Sequence, residues 1–224
     1  MLLFFYDYSK RRDCKLGTKI KQLVKDTVLI CIGLFIMALG SAMSYHANLG
    51  TGSIGTIVDG THRLLGISRG MADITVSVVL LVIVLFRNRD LINIGTIISL
   101  FFTGFSIDFW KEVIAFMPQH LVVGPYIYFV LGLIFGAMGT GFYVAVNTGT
   151  SAYDAYILTI YRATKWQYRN AKILADVILM IVGIFMGGTI GIGTVISTVA
   201  GGYLTQFFIK RSTKLLKRKA ILNN

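Results

Sequence analysis

Charge is what this chain lacks. Only 14% of its 224 residues are Asp, Glu, Lys or Arg, where a soluble domain carries about 25%. None occurs between Asp26 and Asp59, between Glu112 and Asp154, or between Asp176 and Lys210. About 20 apolar residues suffice to cross the hydrocarbon core, so each gap has room for one or more crossings, and a soluble domain is excluded. Cysteine is nearly absent too. Cys14 lies in a basic arm and Cys31 in the first apolar run, which rules out a disulfide framework. The two prolines, Pro118 and Pro125, both fall in one central loop. No His-Glu-x-x-His, Gly-x-Ser-x-Gly or phosphate loop occurs. His46 and His120 have no partners at metal-ligand spacing, and His62 reads as interfacial. The expectation is a non-enzyme with no metal and no cofactor.

What charge there is lies at the ends. The formal net charge is +12. Lys10, Arg11, Arg12, Lys15, Lys19, Lys21 and Lys25 precede the first apolar run, and Lys210, Arg211, Lys214, Lys217, Arg218 and Lys219 follow the last. This distribution fits the positive-inside bias and anionic lipid headgroups rather than nucleic acid. Both ends are expected on the cytoplasmic side, which requires an even number of crossings. Met1–Tyr6 is too short for a signal h-region, and its basic cluster follows rather than precedes it. Leu16, Ile20, Leu23 and Val24 share a helical face, so the arm is expected to lead in through a short interfacial helix.

The reading divides the chain into a basic arm with its interfacial helix (1–26), a first membrane repeat (27–117), a second (118–209) and a basic tail (210–224). Long spans are expected over Thr27–Ala47, Arg69–Phe86, Leu91–Trp110, Tyr126–Val146, Lys172–Met186 and Thr194–Ile209. A polar, glycine-rich break follows the first and fourth spans, and each break leads into a short helix, Ser53–Leu65 and Ala152–Ala163. Gly187–Gly193 interrupts the chain before the last span.

The two halves repeat. Gly40, Asn48, Gly50, Thr51 and Arg63 recur as Gly139, Asn147, Gly149, Thr150 and Arg162, always at 139 − 40 = 99. Ile94–Ser99 recurs as Ile192–Ser197 at 192 − 94 = 98. Asp73 and Asp176 stand outside this register. Each short helix has 12 or 13 residues and cannot cross a core of about 30 Å at about 1.5 Å per residue. Two architectures follow for this all-α, polytopic membrane protein. If the short helices re-enter, there are six full transmembrane helices plus two short ones, and the halves are inverted. If they cross with help from the flanking loops, there are eight helices in parallel 4+4 halves. The charged turn Arg87–Asp90 favours the first by falling on the cytoplasmic side, whereas Arg63 and Arg69 favour the second.

Repeated breaks in corresponding positions point to a site at the interface of the halves. The candidate substrate-binding residues are Asn48, Gly50, Thr51, Asp59 and Arg63 in the first half and Asn147, Gly149, Thr150, Asp154 and Arg162 in the second. Asp59 and Arg63, four apart, share a helix face. Helix N-termini after the breaks suit an anion, and the ionisable side chains need solvation that lipid cannot give. The competing readings are local salt bridges, headgroup anchors and Asn/Thr caps. The expected activity is transport or permeation of a small anionic or zwitterionic solute. The alternative is a non-transporting accessory or substrate-capture subunit of a larger membrane complex, and association with further copies is compatible with either.

The Gly40–Gly52 pattern, the Asn-Leu-Gly break, the Ile-Gly-Thr-Ile block and their second copy resemble the YczE/YyaS/YitT family of bacterial integral membrane proteins over Val28–Phe208. Members often carry a Pro-aromatic-Asp after the break. Ala152-Tyr153-Asp154 keeps the aromatic and the acid, while Ser53-Ile54-Gly55 keeps neither. The resemblance implies a multi-pass protein of the bacterial cytoplasmic membrane and says little about cargo.

Overall fold

The computed structural model describes residues 16–92, 94–116, 124–146, 151–166 and 168–222. Among these the chain is entirely helical: α1 Leu16–Ala47, α2 Ser53–Leu65, α3 Arg69–Arg87, a 3-10 turn Arg89–Leu91, α4 Ile94–Ala115, α5 Gly124–Val146, α6 Ala152–Thr164, α7 Tyr168–Phe185 and α8 Ile192–Leu222. The expected interfacial helix is not separate, because no proline or polar break parts Leu16 from Ala47 and α1 runs through unbroken. α4 likewise outlasts its expected end by five residues, because Asp108, Lys111 and Glu112 do not interrupt a helix. Both short helices end on a left-handed residue, Gly66 (φ 66°) and Lys165 (φ 56°), whose N–H returns to the last turn, a common helix stop.

Among the described residues four helices, covering Val24–Ala47, Arg69–Arg87, Gly124–Val146 and Ile192–Leu215, are long and apolar enough to cross a membrane. Large apolar side chains cover the outside, and polar side chains share the interior with an apolar core. Phe86, Phe105, Phe116, Phe185 and Tyr203 are exposed, while Thr56, Asp59, Thr96, Thr103, Asp176 and Thr194 are buried. So apolar an exterior suits hydrocarbon rather than water as its surroundings.

At the centre α1 packs on α5. A Cβ on Gly33 would lie 2.8 Å from the Tyr143 nitrogen, while one on Gly40 would strike Gly136 and Gly132, and Gly132 lies against Ser44. Rising numbers on α1 meet falling numbers on α5, so the two are antiparallel. α4 runs parallel to α1: the Trp110 indole donates to the Phe35 carbonyl at 3.1 Å, and Ile114 packs with Ala42 and Met43. α8 runs parallel to α5, since Gly193 meets Phe129 and Gly141 meets Phe208 and Ile209. The start of α1 and the end of α8 therefore lie at one end of the bundle, here the tail end.

The short helices cross over between halves. α2 packs on α7, with Gly60 and Ile57 against Gly183, and α6 packs on α3. One large apolar cluster joins them: Ile57, Val58, Ala72, Val76 and Leu80 lie with Ala155, Ile157, Ala175 and Leu179.

Candidate functional site

The chain from Ala47 does not continue outward. Gly50, at φ 98°, lies against Gly191 and Thr194, Leu49 accepts from the Gly193 N–H at 2.9 Å, and Gly52 faces Ser197. That conformation favours glycine and admits close backbone approach. The segment thus descends along the start of α8, and α2 begins with Ser53 beside Asp176, halfway along α7. α2 then returns parallel to α7 toward Thr189. α6 starts at the same level and runs the other way, toward Asn88 and Asp90. The N-termini of the two short helices therefore face each other at the middle of the bundle.

Asp176, 7% exposed, sits between them. It accepts from Ser53 Oγ of α2 at 2.5 Å, from the Tyr153 hydroxyl of α6 and from Lys172 Nζ one turn earlier at 2.8 Å. Lys172 also lies over the Tyr153 ring, 5.8 Å from its centroid. Beside this group, Asp154 is held by the Ser151 hydroxyl at 2.9 Å and the Tyr143 hydroxyl at 2.7 Å, while its own N–H donates to Ser151 Oγ. Ser151 thereby caps α6. The N-cap of α2, Gly52, has no side chain with which to cap, so the first N–H groups of α2, which a helix leaves without intrahelical acceptors, have no N-cap side chain to accept from them. This arrangement can hold a carboxylate or similar anion against the N–H groups and Lys172, and an ammonium against Asp176.

Asp59 and Arg63 are elsewhere, at the end of the bundle opposite the tails. Asp59, 3% exposed, is gripped from three sides. Arg63 Nε donates at 3.1 Å, Arg69 through Nη2 at 3.2 Å and Nε at 3.3 Å, and Thr189 through its N–H at 3.0 Å and its hydroxyl at 2.6 Å. Arg63 reaches on to Thr189 Oγ1 at 2.7 Å, and Arg69 stacks 5.0 Å from the Tyr45 ring centroid. Arg162 lies at the tail end, paired with Asp90 at 2.7 Å and half exposed. Thus Asp154 joins the centre, and Gly50 and Thr51 line the approach. Asn48 is exposed at φ 52°. Asp59, Arg63 and Arg162 stand at the two ends instead. Asn147, Gly149 and Thr150 lie outside the described residues, as does His120. None of the central set Ser53, Tyr153, Lys172 and Asp176 is among the sequence candidates: Asp176 falls outside the 99-residue register, and the other three carry no local signal of a site. In that register Asp73 + 99 is Lys172, so the acid of one half is a base in the other.

No group of three or more His, Cys, Asp or Glu among the described residues could hold a metal ion.

An all-helical bundle with an apolar exterior and a buried polar centre defines a helical membrane protein. The chain belongs to the family of unknown function DUF6198, whose model matches residues 24–210, in agreement with the YczE/YyaS resemblance. It is 27% identical to the uncharacterized protein YyaS of Bacillus subtilis (strain 168), over 80% of this chain and 89% of that one. It is 23% identical to the uncharacterized membrane protein YczE of the same strain, over 88% and 91%. An uncharacterized protein of Haemophilus influenzae is 19% identical over 55% of this chain and 56% of its own. No solved structure matches.

Proposed function

We propose that this protein is a small-solute transporter or permease of the bacterial cytoplasmic membrane, built from two inverted repeats, with six full spans and two re-entrant helices. The tail end faces the cytoplasm. The solute site lies where the N-termini of α2 and α6 meet, around Ser53, Tyr153, Lys172 and Asp176. The single observation that carries the reading is that meeting of two half-helices at a buried carboxylate, Asp176, paired with the partly exposed ammonium of Lys172. Broken backbone at this depth is tolerated where it lines a cavity or is wrapped in protein, and half-helix N-termini at the interface of repeats are a recurrent way to hold an anionic group. A site offering both signs of charge suits a zwitterion or a small anion.

Antiparallel α1 and α5 support the inversion, as does a reciprocal pair of contacts. Arg63 of the first half reaches Thr189 of the second, and Arg162 (63 + 99) of the second reaches Asp90 (189 − 99) of the first. A two-fold relation between the halves produces such exchange.

The test is ligand-dependent thermal stabilisation of the purified protein with panels of amino acids, carboxylates and inorganic anions, followed by uptake into proteoliposomes. A ligand at 100 times its Kd adds about 2.7 kcal/mol of stability. One class should stabilise the wild type and fail with Asp176→Asn or Lys172→Gln. Absence of stabilisation and flux across the panels, or stabilisation untouched by both substitutions, rejects the site.

A further inference from the structure

The two halves differ in one interface. In the first, α3 covers α4: a Cβ on Gly104 would meet Ile74 and lie 2.6 Å from the Gly70 carbonyl, and Asp108 of α4 accepts from Ser68 and from the Gly70 N–H at 2.8 Å. Ser99, Leu100, Thr103 and Gly104 are consequently buried. Their counterparts on α8, 98 residues on, are Ser197, Thr198, Gly201 and Gly202. Of these Thr198 and Gly202 are exposed, and nothing lies within 4 Å of a Cβ on Gly202. Among the described residues α7 packs on α2 and α6 but has no comparable interface with α8. Ile173, the counterpart of Ile74, is 51% exposed.

A Ser/Thr/Gly stripe has little apolar surface to offer lipid and much to offer a closely approaching helix. The first half indicates which helix fits, since α3 already covers the equivalent stripe. α7 and α8 are joined at the end opposite the tails by the turn through Gly187 (φ 83°) and Gly188, and the head of α8 is held there by Leu49 and Gly50. The two helices therefore part toward the tail end, and Asp176 lies at mid-height of α7, its side chain turned to α2 and α6. Resting on the inverted-repeat reading, we propose that the α7–α8 seam is the tail-end gate to the central site, and that it closes against Gly202 as the α3–α4 seam opens. The present structure is then the state open to the tail side. Its partner state has the two interfaces exchanged, the two packings differing by little in free energy.

The experiment uses electron spin–spin distances in lipid nanodiscs, in a Cys14→Ser/Cys31→Ser background. Val177→Cys/Val199→Cys reports the open seam and Val78→Cys/Phe101→Cys the closed one. The pairs are equivalent (78 + 99, 101 + 98), and all four positions are exposed, so the labels leave the packing intact; gel-filtration profiles matching the parent verify this. The expected result is two distances for each pair: a minor shorter one for 177/199, with the helices at an interaxial separation of about 8–10 Å, and a minor longer one for 78/101. A single long distance for the first pair with a single short one for the second overturns the gate. If the distances stay single while Asp176→Asn abolishes ligand stabilisation, the gate falls and the site stands. Two populations with no ligand found in any panel retain the gate and reject the site.

Discussion

Arg63 and Arg162, 99 residues apart, each pair with an aspartate, Asp59 and Asp90, yet the two pairs carry different weight. Asp59 is buried with five donors on its two oxygens, and Arg69 beside it is only 21% exposed. Removing one member of a buried pair leaves the other charge uncompensated, at a cost of about 3–5 kcal/mol. Asp59→Asn is expected to cost about 3 kcal/mol, at the low end because Arg63 is half exposed, read as a clear fall in Tm of the purified protein. Asp90 and Arg162 are 63% and 44% exposed, and exposed pairs contribute roughly 0–1 kcal/mol. Asp90→Asn and Arg162→Gln should therefore leave Tm within a degree or two of wild type. Equal losses for the two pairs would show that burial does not separate them.

Among the elements, α1 and α5 depend on absent side chains. In a membrane, helix association draws on close packing rather than on a hydrophobic drive, and glycine is what permits backbone contact at Gly33, Gly40, Gly132 and Gly139. Gly40→Ala and Gly139→Ala would press a methyl onto the opposite backbone and should cost about 1–3 kcal/mol. Gly136 is on the same helix as Gly139, but nothing lies within 4 Å of a Cβ there. Gly136→Ala should be neutral or slightly stabilising, since alanine gains up to about 1 kcal/mol over glycine within a helix. Thermal melts of the three variants measure the contrast, and similar behaviour of all three would remove the claim that α1–α5 contact is backbone to backbone.

For the molecule as a whole, inverted halves and parallel halves predict opposite faces for the loops. With the tails cytoplasmic, the six-span arrangement puts Asn88 inside and Phe116 outside, whereas eight crossings in parallel halves reverse both. Impermeant maleimide labelling of Asn88→Cys and Phe116→Cys, in intact cells and in inverted vesicles, reads this directly. External labelling at 88 with protection at 116 would reject the inversion and, with it, the exchange of gates. Labelling of a cysteine in the 210–224 tail from outside would reverse the orientation altogether.

The sequence by itself determined the helices and their solvent. Charge-free runs, paired glycine breaks and basic ends are local or compositional features, and hydrocarbon acts on them segment by segment; hence the short helix Ser53–Leu65 was legible to the residue. The offsets 99 and 98 are likewise read without coordinates. Which residues meet was decided only by the tertiary structure. Asp59 and Arg63 were adjacent on one helix face and stayed together, because a spacing of four residues fixes that pair within a turn. Ser53, Tyr153 and Asp176 come from α2, α6 and α7, 123 and 23 residues apart in sequence, and nothing local links them. They meet because α2 crosses to the second half and α6 to the first, and that exchange is set by packing between halves. Arg162 shows the reverse: its match to Arg63 pointed toward a shared cavity, yet α2 ends beside Thr189 and α6 beside Asp90, so the two arginines stand at opposite ends of the molecule.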